Sequence, residues 1–247
     1  MTWSIIARDA ETGQFGVAVA TKFFAVGALC PHASAHGALA TQALVNPTFG
    51  PRGLRLLAEG IGAPHVVAAL IEADEGRDSR QLHVIDRRGL IAAYTGKGCV
   101  DWCGHTIASD HSVAGNMLAG PRVIEDTSAA YAANGKLPFP RRLIAALKAG
   151  EAAGGDKRGK QSAALVVFGE EEWPLLDLRV DDHADPLPEL ERLERVSRER
   201  FVHFRPFLPT RANPAGVFDR AAIEAGIAAA LAAEAESAES GAEKARG

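Results

Sequence analysis

The sequence has little cysteine, no long apolar run and no large excess of charge. Three cysteines among 247 residues are too few for a disulfide framework, which favours a reducing compartment, and we expect a cytoplasmic protein. No uninterrupted apolar run approaches the length that spans a bilayer, so we expect no membrane partner. A formal net charge of −4 argues against binding to nucleic acid. The expected partner is a small-molecule substrate.

Several common functional motifs are also missing. The absence of a Gly-x-Ser-x-Gly motif disfavours an α/β-hydrolase. The glycine-rich loop 154–162 does not match a Walker A pattern and precedes a strand, which disfavours nucleotide binding. Cys99, Cys103, His105 and His111 have spacings that match no common zinc pattern. We therefore predict neither a metal nor a cofactor, with metal-dependent hydrolysis through these four residues as an alternative.

The apolar pattern predicts short strands, with helices that come in pairs between them. Predicted strands are Trp3–Asp9, Phe15–Thr21, Gly37–Leu44, Gln81–Asp86, Leu90–Tyr94, Ser162–Phe168 and Leu175–Val180. Predicted helices are Pro51–Glu59, Pro64–Ala73, Pro121–Ala133 and Pro138–Ala149, and residues 97–120 are predicted to be irregular. Paired helices argue against the single-helix crossovers of a parallel sheet. We predict an α+β fold, a four-layer αββα sandwich of two mainly antiparallel sheets.

The composition changes after residue 185. We predict an αββα domain over residues 1–185 and a helical C-terminal extension over residues 186–233. Residues 234–247 contain mainly Ala, Glu, Ser, Lys and Gly and are predicted to be disordered. The apolar sides of the two extension helices need a surface that covers them. We therefore expect a homo-oligomer.

Thr2 is the residue best placed for chemistry. Met1 is normally removed before a residue as small as threonine, so we expect the mature chain to begin at Thr2. Its α-amine, with a pKa of about 8, can then take the proton of its own hydroxyl. A nucleophile at the head of a buried strand that is followed by a hairpin is the arrangement of N-terminal-nucleophile hydrolases. If Met1 is retained, Ser4 is a weaker substitute.

Such a hydrolase also needs a cation near the nucleophile and donors for an oxyanion. Lys22 ends the second strand, so we predict that it lies beside Thr2, although a solvent-exposed lysine at a strand end is an equally common alternative. Asn116 follows a glycine in a loop and is the predicted oxyanion donor, with a simple Gly-Asn turn as the alternative.

Substrate contacts are predicted mainly around the polar loop before the strand at 162. Asp156, Arg158 and Gln161 lie among glycines and cations that can bind a carboxylate or phosphate, with a mobile surface loop as the alternative. Arg179 is a second candidate for holding an anionic group. The predicted substrate-binding set is completed by Ser4, Gln42 and Asn46.

Many short segments follow the pattern of one family in a single order. They are Thr2–Asp9, Gly16–Ala20, Thr41–Ala43, Asn46–Pro47, Gly50–Leu54, Tyr94–Gly96, Gly115–Leu118, Gly154–Gly159, Gln161–Ala164 and Asp177–Asp182. Together they resemble the bacterial domain of unknown function 1028 family over about residues 1–195. The resemblance implies the N-terminal-nucleophile hydrolase fold.

By analogy with that superfamily, the resemblance implies hydrolysis of an amide or related C–N bond through an acyl-enzyme on Thr2. The leading hypothesis is a hydrolase of a small amide-like metabolite. Thr2 is then nucleophile and base, Asn116 and Lys22 stabilise charge, and Arg158 or Arg179 holds an anionic group. The alternative is a ligand-binding or scaffold protein that has the same fold without the chemistry.

Overall fold

The computed structural model describes residues 2–244, with side chains described for residues 2–236. Strands β1 to β10 are Thr2–Arg8, Phe15–Thr21, Pro31–Ser34, Gly37–Ala43, Arg80–Asp86, Ile91–Thr95, Gly104–Ile107, His111–Asn116, Ser162–Phe168 and Pro174–Val180. Helices α1 to α7 are Phe49–Ala58, Ala63–Glu72, Arg122–Ala133, Phe139–Ala152, Pro186–Glu199, Phe201–Phe204 and Arg220–Lys244. The fold is α+β, and the chain divides into two compact units after Glu191.

The ten strands form two antiparallel sheets in the first unit. One sheet has six strands in the order β10-β9-β2-β1-β8-β7, and the other has four in the order β3-β4-β5-β6. The first strand of the chain is therefore central in its sheet, between β2 and β8. The register places Thr2 opposite Thr21 on one side and opposite Asn116 on the other. Three polar residues thus meet at one end of the larger sheet.

Alternate residues of the strands face different layers, as the period of two requires. On β4, Ala38 and Ala40 pack with Ile6 of the larger sheet in one core. Between them, Leu39 points the other way and packs with Leu57 and other residues of α1 and α2. Helices α3 and α4 pack on the larger sheet. Each sheet therefore contacts a helix pair, and the two sheets contact each other.

The small residues of β2 allow helix α4 to approach the larger sheet closely. A Cβ atom on Gly16 would lie 2.5 Å from Leu143 and 2.9 Å from Phe139, distances that real Cβ contacts do not reach. Gly16 therefore cannot be replaced unless the Leu143 and Phe139 side chains, or the helix that carries them, shift. The close approach explains why a strand buried on both faces is built from glycine and alanine at alternate positions.

Three strands differ from the prediction. Strand β3 is not among the predicted strands, and β7 and β8 lie within residues 97–120, which were predicted to be irregular. The sequence of β8, His-Ser-Val-Ala-Gly-Asn, lacks the alternation of large apolar residues that marks a strand. It is nevertheless fully buried, because Ser112 and Asn116 make hydrogen bonds to side chains of the four-stranded sheet.

The C-terminal segment is more helical than its composition suggests. Helix α7 continues to Lys244, past residue 234, where disorder was predicted. Alanine, glutamate and lysine are strong helix formers, so low hydrophobicity alone does not exclude a helix. Residues 245–247, and Met1 with its predicted removal, lie outside the described residues. None of the helices within residues 2–244 has the length and apolar content needed to cross a membrane.

Candidate active site

Thr2 opens β1, the central strand of the six-stranded sheet. Its hydroxyl oxygen lies 3.1 Å from that of Thr21, so one of the two hydroxyls donates a hydrogen bond to the other. Asn116 is its partner on the opposite strand, and directly opposed residues share one face of a sheet. Thr2 is only 7% exposed. The candidate nucleophile, Thr2, therefore lies in a largely buried group of three polar side chains with Thr21 and Asn116.

A cavity of about 190 Å³ lies beside Thr2. Its lining consists of Thr2, Thr41 and Gln42 together with Phe23, Val26, Leu29, Cys30, Ala43, Leu44 and Val45. None of these ten side chains is ordinarily charged. Burial raises the pKa of the Cys30 thiol, so it stays protonated at neutral pH. Phe23 and Leu44 are 57% and 67% exposed, which places them at the mouth of the cavity.

A buried hydrogen-bond network between the sheets is centred on Gln81. Its Nε2 atom donates to the backbone carbonyls of Gly104 at 3.0 Å and Gly115 at 2.8 Å. Carbonyls only accept, so they fix which side of the amide carries nitrogen. The Gln81 Oε1 atom accepts from Asn116 Nδ2 at 3.1 Å and from Gln42 Nε2 at 2.8 Å. The orientation of the Gln81 amide therefore fixes the orientations of the Asn116 and Gln42 side-chain amides.

The same reasoning assigns the proton of Ser4. Gln42 Oε1 lies 2.6 Å from the Ser4 oxygen and accepts the only proton of that hydroxyl. His83 Nε2, 2.9 Å from the same oxygen, must then be the donor. Burial, with a smaller effect of the nearby His105, lowers the pKa of His83 to about 3, which favours a neutral ring with its single proton on Nε2. His83 Nδ1 then accepts from Ser112, whose hydroxyl is shared between this nitrogen and the Thr106 carbonyl at 2.8 Å. Ser4 therefore has no base to receive its proton and is not placed as a nucleophile.

Backbone strain is concentrated around this site. Within the described part of the chain, the non-glycine residues with positive φ are Ala25, Ala43 and Met117, with φ of 53°, 70° and 54°. Ala43 lines the cavity, Ala25 precedes a lining residue, and Met117 follows Asn116. Such conformations are costly for residues that carry a Cβ atom and occur preferentially at functional sites. Their positions agree with a site at the Thr2 end of β1.

Some of the predicted site residues come together in the structure. Thr2 and Asn116 face each other across β1 and β8, and Asn116 is connected to Gln42 through Gln81. Gln42 in turn binds Ser4. Thr2, Asn116, Gln42 and Ser4 therefore belong to one group, although they are far apart in the sequence.

Lys22, predicted to lie beside Thr2, has other contacts. Its Nζ atom lies 3.4 Å from the carbonyl of Lys160, and its backbone N–H donates to Asp156 at 2.9 Å. The preceding residue, Thr21, turns its side chain towards Thr2, and successive residues of a strand point to opposite faces. The alternation explains why the Lys22 ammonium is directed elsewhere.

Asp156 and Arg158 contact each other. The buried Asp156 carboxylate accepts from the backbone N–H groups of Lys22 and Arg158 and pairs with the Arg158 guanidinium at 3.4 Å. Asp156 thereby anchors its loop to the end of β2. The other residues predicted to bind substrate also contact polar residues of the protein itself. Gln161 binds Asp182, Arg179 binds Asp181 and Asn46 binds Thr48.

Three residues of the network were not expected from the sequence. Gln81 and His83 on β5 point towards the larger sheet, and Ser112 on β8 lies 3.1 Å from His83 Nδ1. The available signal was the placement of polar residues at alternate positions of an otherwise apolar strand. In β5 the intervening residues, Leu82 and Val84, form part of the core that covers the helices.

A second group of hydroxyl, imidazole and carboxylate lies at the other end of β8. His111 Nε2 is 2.7 Å from Ser128 Oγ, and Nδ1 is 2.7 Å from Asp110. Ser128 is in the middle of α3, where neighbouring backbone N–H groups are bonded within the helix and cannot serve an oxyanion. Arg142 pairs with Asp110 at 3.4 Å and lies over the ring of Tyr131. The group links β8 to α3 and α4.

The cysteine and histidine residues between 99 and 111 bind separate partners. The Cys99 thiol contacts the carbonyl of Arg80, the Cys103 thiol contacts the carbonyl of Cys99, and His105 contacts Thr95. No group of three or more His, Cys, Asp or Glu residues in the described chain is arranged to hold a metal ion.

The comparisons with known proteins agree with the sequence motifs. The model of the family of unknown function DUF1028 matches residues 2–190. The chain belongs to this family. A crystal structure of a DUF1028 protein from Silicibacter pomeroyi superposes with a TM-score of 0.82 at 33% identity, over 89% of this chain and 96% of that chain.

A more distant structure gives only a weak superposition. Anbu (ancestral beta-subunit) from Yersinia bercovieri aligns with a TM-score of 0.38 at 12% identity, over 84% of this chain and 98% of that chain. This superposition is too weak to show that the two proteins share a fold. A comparison with curated proteins gives no match.

Proposed function

We propose that this DUF1028 protein is an N-terminal-nucleophile hydrolase that cleaves an amide or related C–N bond in a small molecule. The observation that carries the proposal is the position of Thr2, which opens the central strand, lines a cavity and faces Asn116. Two face-to-face sheets that each contact a helix pair match the αββα sandwich of such hydrolases.

In the proposed first step, Thr2 forms an ester with the acyl part of the substrate. Once Met1 is removed, the Thr2 α-amine takes the hydroxyl proton while the hydroxyl oxygen attacks the carbonyl carbon. When the C–N bond breaks, the protonated α-amine gives this proton to the leaving amine. Water then attacks the ester, the α-amine takes the water proton and returns it to the Thr2 oxygen, and a carboxylic acid is released.

Asn116 is the proposed donor to the oxyanion that forms in each step. One N–H of its side-chain amide is bound by Gln81 Oε1, and the amide carries a second N–H. A donor that is held in place before the reaction lowers the barrier more than a mobile one. Gln81, fixed by two backbone carbonyls, holds Asn116 in this orientation.

The proposal gives the predicted cations no part in catalysis. Lys22 contacts the Lys160 carbonyl, and Arg158 and Arg179 pair with neighbouring aspartates.

Cytoplasmic location remains part of the proposal and is supported by three free thiols, Cys30, Cys99 and Cys103. Homo-oligomer formation also remains a proposal, supported by large exposed apolar side chains such as Phe218.

Covalent labelling tests the proposed function. The native protein is treated with an unsubstituted β-lactone, and its intact mass and N-terminal peptide are measured. We expect a chain that begins at Thr2 and gains one lactone on that residue, while Thr2→Ala gains none. A lactone that is attached elsewhere, or equal labelling of Thr2→Ala, contradicts the nucleophile assignment. Retained Met1 without an adduct supports the alternative of a non-catalytic binding protein.

A further inference from the structure

The cavity beside Thr2 carries information about the substrate. This inference deepens the proposed function and rests on it. We propose that the cavity binds the acyl part of the substrate and that this part is an uncharged apolar group of about six to eight carbon atoms or a single aromatic ring.

The first argument is the chemistry of the walls. Seven of the ten lining residues are apolar, and none of the other three is ordinarily charged. Besides Thr2, the polar lining residues are already engaged, because Thr41 donates to the Asn46 carbonyl at 3.3 Å. The side-chain oxygen of Gln42 binds Ser4, and its nitrogen binds Gln81. Apart from the Thr2 α-amine, which must lose its proton to act as the base, the lining carries no charged side chain. A charged group that enters the cavity would therefore lose its hydration without gaining a side-chain partner.

The second argument is size. The cavity has a volume of about 190 Å³. An apolar cavity of about 150 Å³ in another protein accommodates benzene. The space beside Thr2 therefore suits a ring or a medium alkyl chain and is much larger than an acetyl group requires.

The third argument decides which side of the scissile bond is enclosed. The amine must leave before water attacks the ester, whereas the acyl part stays attached to Thr2 through both steps. The part that stays is best held in the cavity, and the leaving amine is best directed towards solvent. The exposed Phe23 and Leu44 at the mouth extend the apolar surface in the direction from which the acyl part enters.

A series of β-lactones on the native protein tests this proposal. The series contains the unsubstituted ring and rings that carry a hexyl group, a benzyl group or a pentanoate chain with a terminal carboxylate. We expect the hexyl and benzyl compounds to label Thr2 at least 10-fold faster than the unsubstituted ring, and the carboxylate compound no faster than that ring. Equal rates across the series overturn the cavity proposal and leave the nucleophile assignment intact.

A variant that fills the cavity tests the proposal further, and the same substitution outside the cavity serves as its matched control. Leu29→Trp places a large ring at a half-buried lining residue and is expected to slow labelling by the hexyl and benzyl compounds 10-fold or more. Labelling by the unsubstituted ring, which does not fill the cavity, should slow by a smaller factor, so the readout is the ratio of the hexyl or benzyl rate to the unsubstituted rate. Leu90→Trp, at an exposed leucine outside the cavity lining, should leave all rates unchanged. If Leu29→Trp and Leu90→Trp behave alike, the cavity does not hold the acyl group.

A binding measurement separates the two claims if Thr2 does not react. On the Thr2→Ala variant, calorimetry with hexanamide, phenylacetamide and succinamate reports the cavity without any chemistry. The apolar cavity is supported if hexanamide and phenylacetamide bind to Thr2→Ala but not to the double variant that carries both Thr2→Ala and Leu29→Trp. Succinamate should not bind to Thr2→Ala. Preferential binding of succinamate, or no binding of any of the three, overturns the cavity proposal.

Discussion

The hydroxyl oxygens of Thr2 and Thr21 lie 3.1 Å apart at the same end of two paired strands. The strand on the other side contributes Asn116. A nucleophile on a central strand thus obtains one polar neighbour from each adjacent strand. The antiparallel register produces the group without any contribution from a flexible loop.

Removing the Thr21 hydroxyl should slow the reaction of Thr2. A hydrogen bond of this kind contributes about 1 kcal/mol, which corresponds to a rate change of roughly fivefold. We expect Thr21→Val to label about fivefold more slowly with the unsubstituted β-lactone. Thr21→Ser, which keeps the hydroxyl, should label at nearly the native rate. A native rate in Thr21→Val would show that this contact does not assist Thr2.

Replacing Gln81 should affect both stability and reactivity. Gln81→Leu leaves the part-buried Gly104 carbonyl, the buried Gly115 carbonyl and the amides of Gln42 and Asn116 without their partner, which should lower the free energy of unfolding by about 3 kcal/mol or more. Urea unfolding measures this loss. Labelling of the folded variant should also slow, because Asn116 loses its orientation. Gln161→Leu, at a glutamine bound to Asp182 near the surface, should cost less than about 0.5 kcal/mol.

Protonation of His83 should destabilise the fold in acid. Its pKa is about 3 in the folded protein and 6.5 ordinarily, so between these values the unfolded chain binds a proton that the folded chain does not. Stability is therefore lost as the pH falls from about 6.5 towards 3, at up to about 1.4 kcal/mol per pH unit. His83→Gln should be less stable at pH 7, but its further loss between pH 7 and 5 should be smaller by up to roughly 2 kcal/mol. The same pH slope in both proteins would show that His83 is not buried in neutral form.

The His111 group should matter for stability and not for the reaction. His111 contacts Ser128, Asp110 and the ring of Tyr131, so His111→Ala should lower the free energy of unfolding by about 2 kcal/mol. Ser128→Ala should cost about 1 kcal/mol. Neither change should alter the labelling rate of Thr2. A loss of turnover with full Thr2 labelling in Ser128→Ala would instead identify a second reactive site.

The order of most elements could be predicted from the sequence because apolar periodicity is a local property. It located β1 and β2 and both helix pairs, and the motifs identified the family, whose model matches residues 2–190. Strand β8 was missed because its polar residues face the other sheet and hide the strand pattern. Polar side chains such as these can be buried only because residues from distant segments bind them, and the local apolar pattern carries no information about those partners.

The site could be predicted only in part for the same reason. Thr2 and Asn116 stand out by position and residue type, but the importance of Gln81 follows only from the carbonyls of Gly104 and Gly115 that fix it. The side-chain direction of Lys22 depends on the preceding residue, Thr21, facing Thr2, and the sequence alone does not show which residue at the end of β2 takes that face. The cavity is formed by residues from two segments, 23–30 and 41–45, together with Thr2, so its volume has no local signature.

The central claim is that the Thr2 hydroxyl reacts with the help of its own α-amine. The most direct test uses one protein with a cleavable N-terminal extension, labelled with the unsubstituted β-lactone before and after the extension is removed to leave Thr2 first. We predict an adduct on Thr2 only after cleavage, with a rate that rises with pH as the amine loses its proton. An adduct on Thr2 at equal rates before and after cleavage would contradict the account.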